Sequence, residues 1–269
     1  MVTSILIILG LCSGSFVTAL VWRLKIGRGA VGKTNNNLSI VNGRSMCPNC
    51  RHQLSALDLI PVFSWLMLKG RCRYCRKQIS IQYPFIEIVT AFLFICSYLL
   101  WPLSFHGQGL FDFIAWLFFL VGFMSIAIYD LRWFIVPNVI VYPLTVLGLI
   151  YVAINFFVFN AGTASLIHPL WGILIISGTF YLLYQLSGGK WIGGGDVKLG
   201  LFLGLISWGA LESLLLLFIA SFVGTIMSLS FLLSKKASIK THLPFAPFLI
   251  LAAIICQLLG MSIVHHIQN

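Results

Sequence analysis

The sequence predicts an all-α, polytopic membrane protein of about eight transmembrane helices with one small cytoplasmic loop domain. Three observations predict it. The 269 residues are 59% hydrophobic and only 9% charged, where a soluble domain carries about a quarter charged residues. Apolar runs of roughly bilayer-spanning length recur along the chain. And the Lys and Arg residues, read against those runs, fall on one side of the membrane.

The runs lie at 1–22, 81–101, 111–129, 136–157, 168–186, 197–208, 211–233 and 243–264. The first lacks a basic leading region and meets its first charge, Arg23, only at its far end, so it reads as a retained span rather than a cleaved signal. The sixth is short and begins in a glycine cluster. Eleven of the seventeen Lys and Arg residues sit in 23–77, and the other six are Arg132, Lys190, Lys198, Lys235, Lys236 and Lys240. With eight spans, all seventeen fall on the same side, and the connections near 102–110, 158–167 and 209–210 hold none. Positively charged short loops stay in the cytoplasm. Both termini then face outward and the first loop faces inward. A formal net charge of +11 reads here as orientation against lipid and not as nucleic-acid binding, because the apolar runs leave no room for a basic domain.

The chain divides in this reading into a first helix, 1–22, a cytoplasmic loop domain, 23–80, and a membrane domain, 81–269. The loop is too small for a secure core without a staple. Four cysteines offer one. Cys47-Pro-Asn-Cys50 and Cys72-Arg-Tyr-Cys75 are separated by twenty-one residues. Each pair can form a turn that aims two thiolates at one ion, and two turns complete a tetrahedral site for structural Zn²⁺. A reducing cytoplasm disfavours disulfides; redox pairs or unligated thiols are the alternative. His52 reads as a neighbour and not a ligand. Cys12, Cys96 and Cys256 lie in apolar runs and read as small core residues.

Gly27–Thr34 matches the P-loop pattern literally, but a P-loop needs a strand before it and a helix after it. A span precedes this one and the run Asn35-Asn36-Asn37 follows. It reads as a basic juxtamembrane linker near anionic lipid.

The chain has four Asp and two Glu, so each is informative. Asp130 ends the third span and Asp196 opens the sixth, after Gly193-Gly194-Gly195. The topology puts both at the cytoplasmic membrane edge, where a carboxylate is costly unless it faces protein or water. Two facing carboxyls can share a proton, one activating water and the other donating to a peptide carbonyl. Taken singly, Asp196 could be a helix N-cap and Asp130 a boundary residue paired with Arg132. Glu87, Asp58 and the neighbours of Asp58 are suspects for a further site by position. Asp112 and Glu212 read as boundary residues near the outer face.

Taken together, these motifs resemble the prepilin peptidase family. The resemblance rests on Gly14-Ser15-Phe16, on Arg44-Ser45 with Cys47-Pro-Asn-Cys50, and on Asp58-Leu-Ile-Pro61 with Ser64-Trp65. It continues in Gly70-Arg-Cys72-Arg-Tyr-Cys75, Ile79-Ser80 and Tyr83-Pro84, then Asp130 with Pro137-Asn138. Gly193-Gly-Gly-Asp196-Val-Lys198 and Pro244–Leu249 complete it. The family usually has Gly where this chain has Ala246. The resemblance implies cleavage of a basic leader from type IV prepilins or pseudopilins after a glycine, at the bacterial inner membrane, with Asp130 and Asp196 as the catalytic pair. It also implies N-methylation of the new N-terminus with S-adenosylmethionine, with the loop domain 23–80 as the N-methyltransferase part; the donor site cannot be built from the sequence, and Glu87 and the loop around Asp58 are its suspects by position. A membrane transporter and a non-catalytic zinc-ribbon adaptor are the competing readings.

Overall fold

The computed structural model describes residues 1–29, 45–207, 209–233 and 244–268. Among them the chain is helical, with two isolated antiparallel bridges and no strand. The helices are α1 Val2–Gly29, α2 Phe63–Met67, α3 Gln82–Leu99, α4 Gln108–Trp133 and α5 Asn138–Phe157. They continue with α6 Ala164–Ser187, α7 Gly194–Leu205, α8 Ala210–Leu233 and α9 Ala246–Gln268. A 3₁₀ turn, Ala56–Leu59, precedes α2. Six of these helices are long and apolar enough to cross a membrane: α1, α3, α4, α5, α6 and α8. The protein is an integral membrane protein, and its exposed Phe, Leu and Ile side chains, such as Phe118 and Phe157, are those of a surface solvated by lipid.

Helix α1 runs through Gly29, so a helix and not a strand leads into the P-loop look-alike. Its remainder and Asn35–Asn37 lie outside the described residues.

By packing, the chain forms two compact units, Met1–Leu99 and Leu100–Asn269. In the first, α1 packs along α3, and the loop between them carries the cysteine turns. In the second, α4 to α9 surround a core of Phe119, Phe123 and Phe202. These rings meet edge-on or tilted, with centroids 5.2 Å and 5.6 Å apart for Phe202 against the other two.

The sixth apolar run is where structure and sequence reading part. Helix α7 has 12 residues, which at 1.5 Å per residue is about 18 Å, well short of the ~30 Å hydrocarbon core. Leu199, Phe202, Leu203 and Leu205 are all buried. Protein, and not lipid, covers these four side chains, while Leu201 is exposed. Small residues permit the approach: a Cβ on Gly204 would sit 2.5 Å from the Ile173 backbone nitrogen of α6, the close contact by which helices associate in lipid.

Candidate functional site

The cysteine turns are built twice from the same bonds. In the first, the N–H of Cys47 donates to the carbonyl of His52 and the N–H of Arg51 to that of Cys47, both at 2.9 Å. In the second, Cys72 donates to Lys77 at 2.9 Å and Arg76 to Cys72 at 3.0 Å. Arg51 and Arg76 take matching left-handed conformations, φ 57° and 56°. The turns thereby point four sulfurs inward, all within 4.8 Å of one another, with Cys47 Sγ and Cys75 Sγ 3.9 Å apart. Tetrahedral zinc–thiolate bonds of ~2.3 Å place sulfurs about 3.8 Å apart, so the four side chains fit a metal ion such as zinc. All four are free thiols. Burial pushes the Cys47 thiol up. At Cys72 the same burial is outweighed by the N–H groups of Cys75 and Tyr74 and by the neighbouring thiols, which pull it down. His52 stacks on Tyr74, ring centroids 3.7 Å apart, which joins the two turns without using a ligand position.

Asp58 has a structural task. Its carboxylate accepts from Arg73 Nε at 2.7 Å, from the Ser55 hydroxyl at 2.8 Å and backbone N–H at 3.2 Å, and from the Tyr74 hydroxyl at 3.3 Å. Burial alone would raise it, but the Ser55 hydrogen bonds and the Arg73 guanidinium hold it below the usual carboxylate range. Asp58 thus ties the 3₁₀ turn to the second cysteine turn. Glu87, in α3, is buried and accepts the Val62 N–H at 2.7 Å, holding the loop's sharp turn at Val62 (φ 61°) to the helix.

In the second unit, Asp130 closes α4 and is 4% exposed. Its carboxylate accepts the backbone N–H of Ala246, the first residue of α9. Asp196 is the third residue of α7, whose N-cap is Gly193. Asp196 is therefore not the N-cap; its carboxylate reaches back to the Gly193 N–H, as the third residue of a capping box does. The two aspartates interact electrostatically, so α4 and α7 bring together the two carboxyls separated in the sequence. Gly195 is required by the packing: a Cβ there would lie 2.8 Å from Val136 Cβ. Lys198 Nζ donates to Asn138 Oδ1 at 3.1 Å, joining the start of α7 to the start of α5. Arg132 is exposed, with its guanidinium carbon 5.9 Å from the centroid of the Trp133 ring.

Asp112 lies near the start of α4, where protein buries it. It is 6% exposed and bonds to Asn155 and Tyr151, and Asn155 accepts from Gln108 at 2.8 Å. The sequence reading places Ala246 and Gly193 in motifs, but their role as backbone donors to Asp130 and Asp196 is one that no side-chain pattern announces.

Two family models match the chain. One, described as the Bacterial Peptidase A24 N-terminal domain, covers residues 8–101, and the other, the Type IV leader peptidase family, covers 117–229. Among curated proteins, the chain is 32% identical to a "Prepilin leader peptidase/N-methyltransferase" of Pseudomonas aeruginosa, over 96% of this chain and 90% of the relative. It is 31% identical to one of Bacillus subtilis, over 97% and 96%. It is 32% identical to a "Type 4 prepilin-like proteins leader peptide-processing enzyme" of Escherichia coli, over 91% and 89%. No solved structure matches it. Full-length similarity at this level, with both family models in order along the chain, shows that this integral membrane enzyme belongs to the type IV leader peptidase family.

Proposed function

We propose that this enzyme removes the basic leader of type IV prepilins or pseudopilins at the cytoplasmic face of the bacterial inner membrane, using Asp130 and Asp196 as an aspartate pair. The observation that carries the reading is the meeting of these two carboxyls, one from the end of α4 and one from the first turn of α7. The orientation rests on the charge pattern. With the helix bounds above, the connections 100–107 and 158–163 hold no Lys or Arg, whereas the first loop, Arg132 at the end of α4 and Lys190 after α6 lie at the alternate ends.

Held close together, two carboxyls share one proton. The ionised one takes a proton from water as the water oxygen bonds to the peptide carbon. The protonated one hydrogen-bonds the carbonyl oxygen as negative charge develops there. Collapse of the tetrahedral intermediate breaks the C–N bond, and the leaving nitrogen takes the proton gained from water. One water is consumed, and an acid and an amine are released. The N–H groups of Ala246 and Gly193 fix the two carboxylates for this exchange. The glycines before Asp196 let an extended substrate backbone approach closely; cleavage after a glycine is what the family resemblance implies.

The same reading assigns the four-cysteine site a structural Zn²⁺, since four thiolates leave no coordination position for substrate. It also assigns N-methylation of the new amine, the activity named in the Pseudomonas aeruginosa and Bacillus subtilis relatives. When bound, S-adenosylmethionine would supply the methyl group to that amine, with the thioether as leaving group. Membership in an enzyme family sets aside the transporter and adaptor readings. The test is incubation of the purified protein with a prepilin, with and without S-adenosylmethionine, followed by mass spectrometry of the pilin. The reading expects cleavage in both and a mass gain of one methyl group only with the donor. An intact prepilin in both would contradict it.

A further inference from the structure

A cavity of about 160 Å³ lies within the first unit, among α1, the cysteine turns and the start of α3. At ~10–15 Å³ per enclosed water it has room for about eleven to sixteen waters, or about 330–480 Å³ at the ~30 Å³ each occupies in the liquid, which is within the ~300–1,000 Å³ of small-ligand sites. Three aromatic residues, Trp22, Trp65 and Tyr83, line it. Trp65 is held in place by its Nε1–H, which donates to the Ile79 carbonyl at 3.1 Å. Residues 1–99 contain eleven Lys and Arg but just two acids, Asp58 and Glu87; both acids line this cavity, together with Arg23 and Arg73. Asp58 is occupied by Arg73, Ser55 and Tyr74. Glu87, 7% exposed, is the buried carboxylate of the wall, with Ser15 and Val62 as its protein partners. Neither Asp130 nor Asp196 lines this cavity.

We propose that this cavity is the binding site of the methyl donor, an adenosyl sulfonium, with Glu87 as its anchoring carboxylate and Trp22, Trp65 and Tyr83 as its aromatic faces. The proposal rests on the methyltransferase reading above. Such a donor presents a purine, two ribose hydroxyls and a fixed positive charge. Aromatic rings take the purine by stacking and a cation by the negative face of the ring. A buried carboxylate accepts hydrogen bonds from ribose hydroxyls and favours a cation nearby. Asp58 is paired with Arg73, so Glu87 is the carboxylate that can face the donor in this cavity, while Arg23 and Arg73 of the same wall suit its carboxylate end.

The test uses full-length protein in detergent. S-adenosylhomocysteine binding is measured by calorimetry, and S-adenosylmethionine is cross-linked by ultraviolet light and mapped by peptide mass spectrometry. The expected cross-links fall in peptides covering 15–23, 58–65 or 79–87. Glu87→Gln, which removes the charge, and Thr18→Phe, which fills the cavity from the wall, each weaken binding by about tenfold, with zinc content unchanged. Cross-links confined to Leu100–Asn269, or undiminished affinity in both variants with zinc retained, overturn the pocket and leave methylation standing. A wild-type protein that cleaves but neither binds the probe nor methylates overturns the methyltransferase reading, and the pocket with it.

Discussion

The residues whose roles the sequence made plain are those whose geometry is local. Cys47 with Cys50, and Cys72 with Cys75, meet through turns of a few residues, so their spacing alone implies two thiolates facing one way. Joining the two turns is a longer-range event, and the hydrogen bonds that repeat in both turns produce it. We expect one zinc per chain, lost in the double variant Cys47→Ser, Cys72→Ser; metal analysis showing unchanged zinc would count against the site. Asp130 is different. Its donor, the Ala246 N–H, is a backbone group on a distant helix, and a backbone group has no sequence signature. The contact explains why Ala can stand where the family usually has Gly: both keep the N–H. Proline does not, though it is tolerated at the first position of a helix. Ala246→Pro is therefore expected to lower cleavage by about tenfold or more, the scale of losing one oriented donor, in protein that still inserts. Ala246→Gly should cleave near the wild-type rate. Equal cleavage by both variants would remove the Ala246 N–H from the account.

At the scale of elements, and except at the end of α1, which continues seven residues beyond its run to Gly29, apolar runs match the long helices to within about four residues, because a lipid-facing helix and its apolar run are nearly the same thing. That equivalence fails at α7. Hydropathy reports burial without saying whether lipid or protein does the burying, so a 12-residue helix packed among its neighbours reads like a shortened span. The short length has a use: it starts α7 with Asp196 in its first turn, fixed by packing on α6 and against Val136. A methyl group at Gly195 would raise helix propensity yet collide with Val136. We expect Gly195→Ala to insert normally and lose cleavage by about tenfold or more, since displacement of ~1 Å at a reacting group costs on that order or beyond. A leader-cleavage assay at wild-type rate would show that this contact does not set the position of Asp196.

The whole molecule is two compact units with different supports. The loop of the first hangs on sulfur ligands, Asp58 and Glu87, while the second is a bundle of apolar helices. Metal binding in small zinc domains is worth about 10 kcal/mol of folding energy or more, so losing one ligand should loosen the loop before it disturbs the bundle. Cys72→Ser should yield cleaved pilin with an unmethylated N-terminus, read by mass spectrometry. Uncleaved prepilin from a well-inserted variant would show the units to be functionally dependent.

The central claim, that Asp130 and Asp196 act as one catalytic pair, is tested most directly by leader cleavage with Asp130→Asn and Asp196→Asn, each in purified, correctly inserted protein. An amide keeps the shape of the side chain but cannot exchange the shared proton, so each single variant should lose about 10³-fold or more in rate. The double variant should be little worse than either single one, because groups that act as a unit are not additive. Near wild-type cleavage by either single variant would contradict the pair.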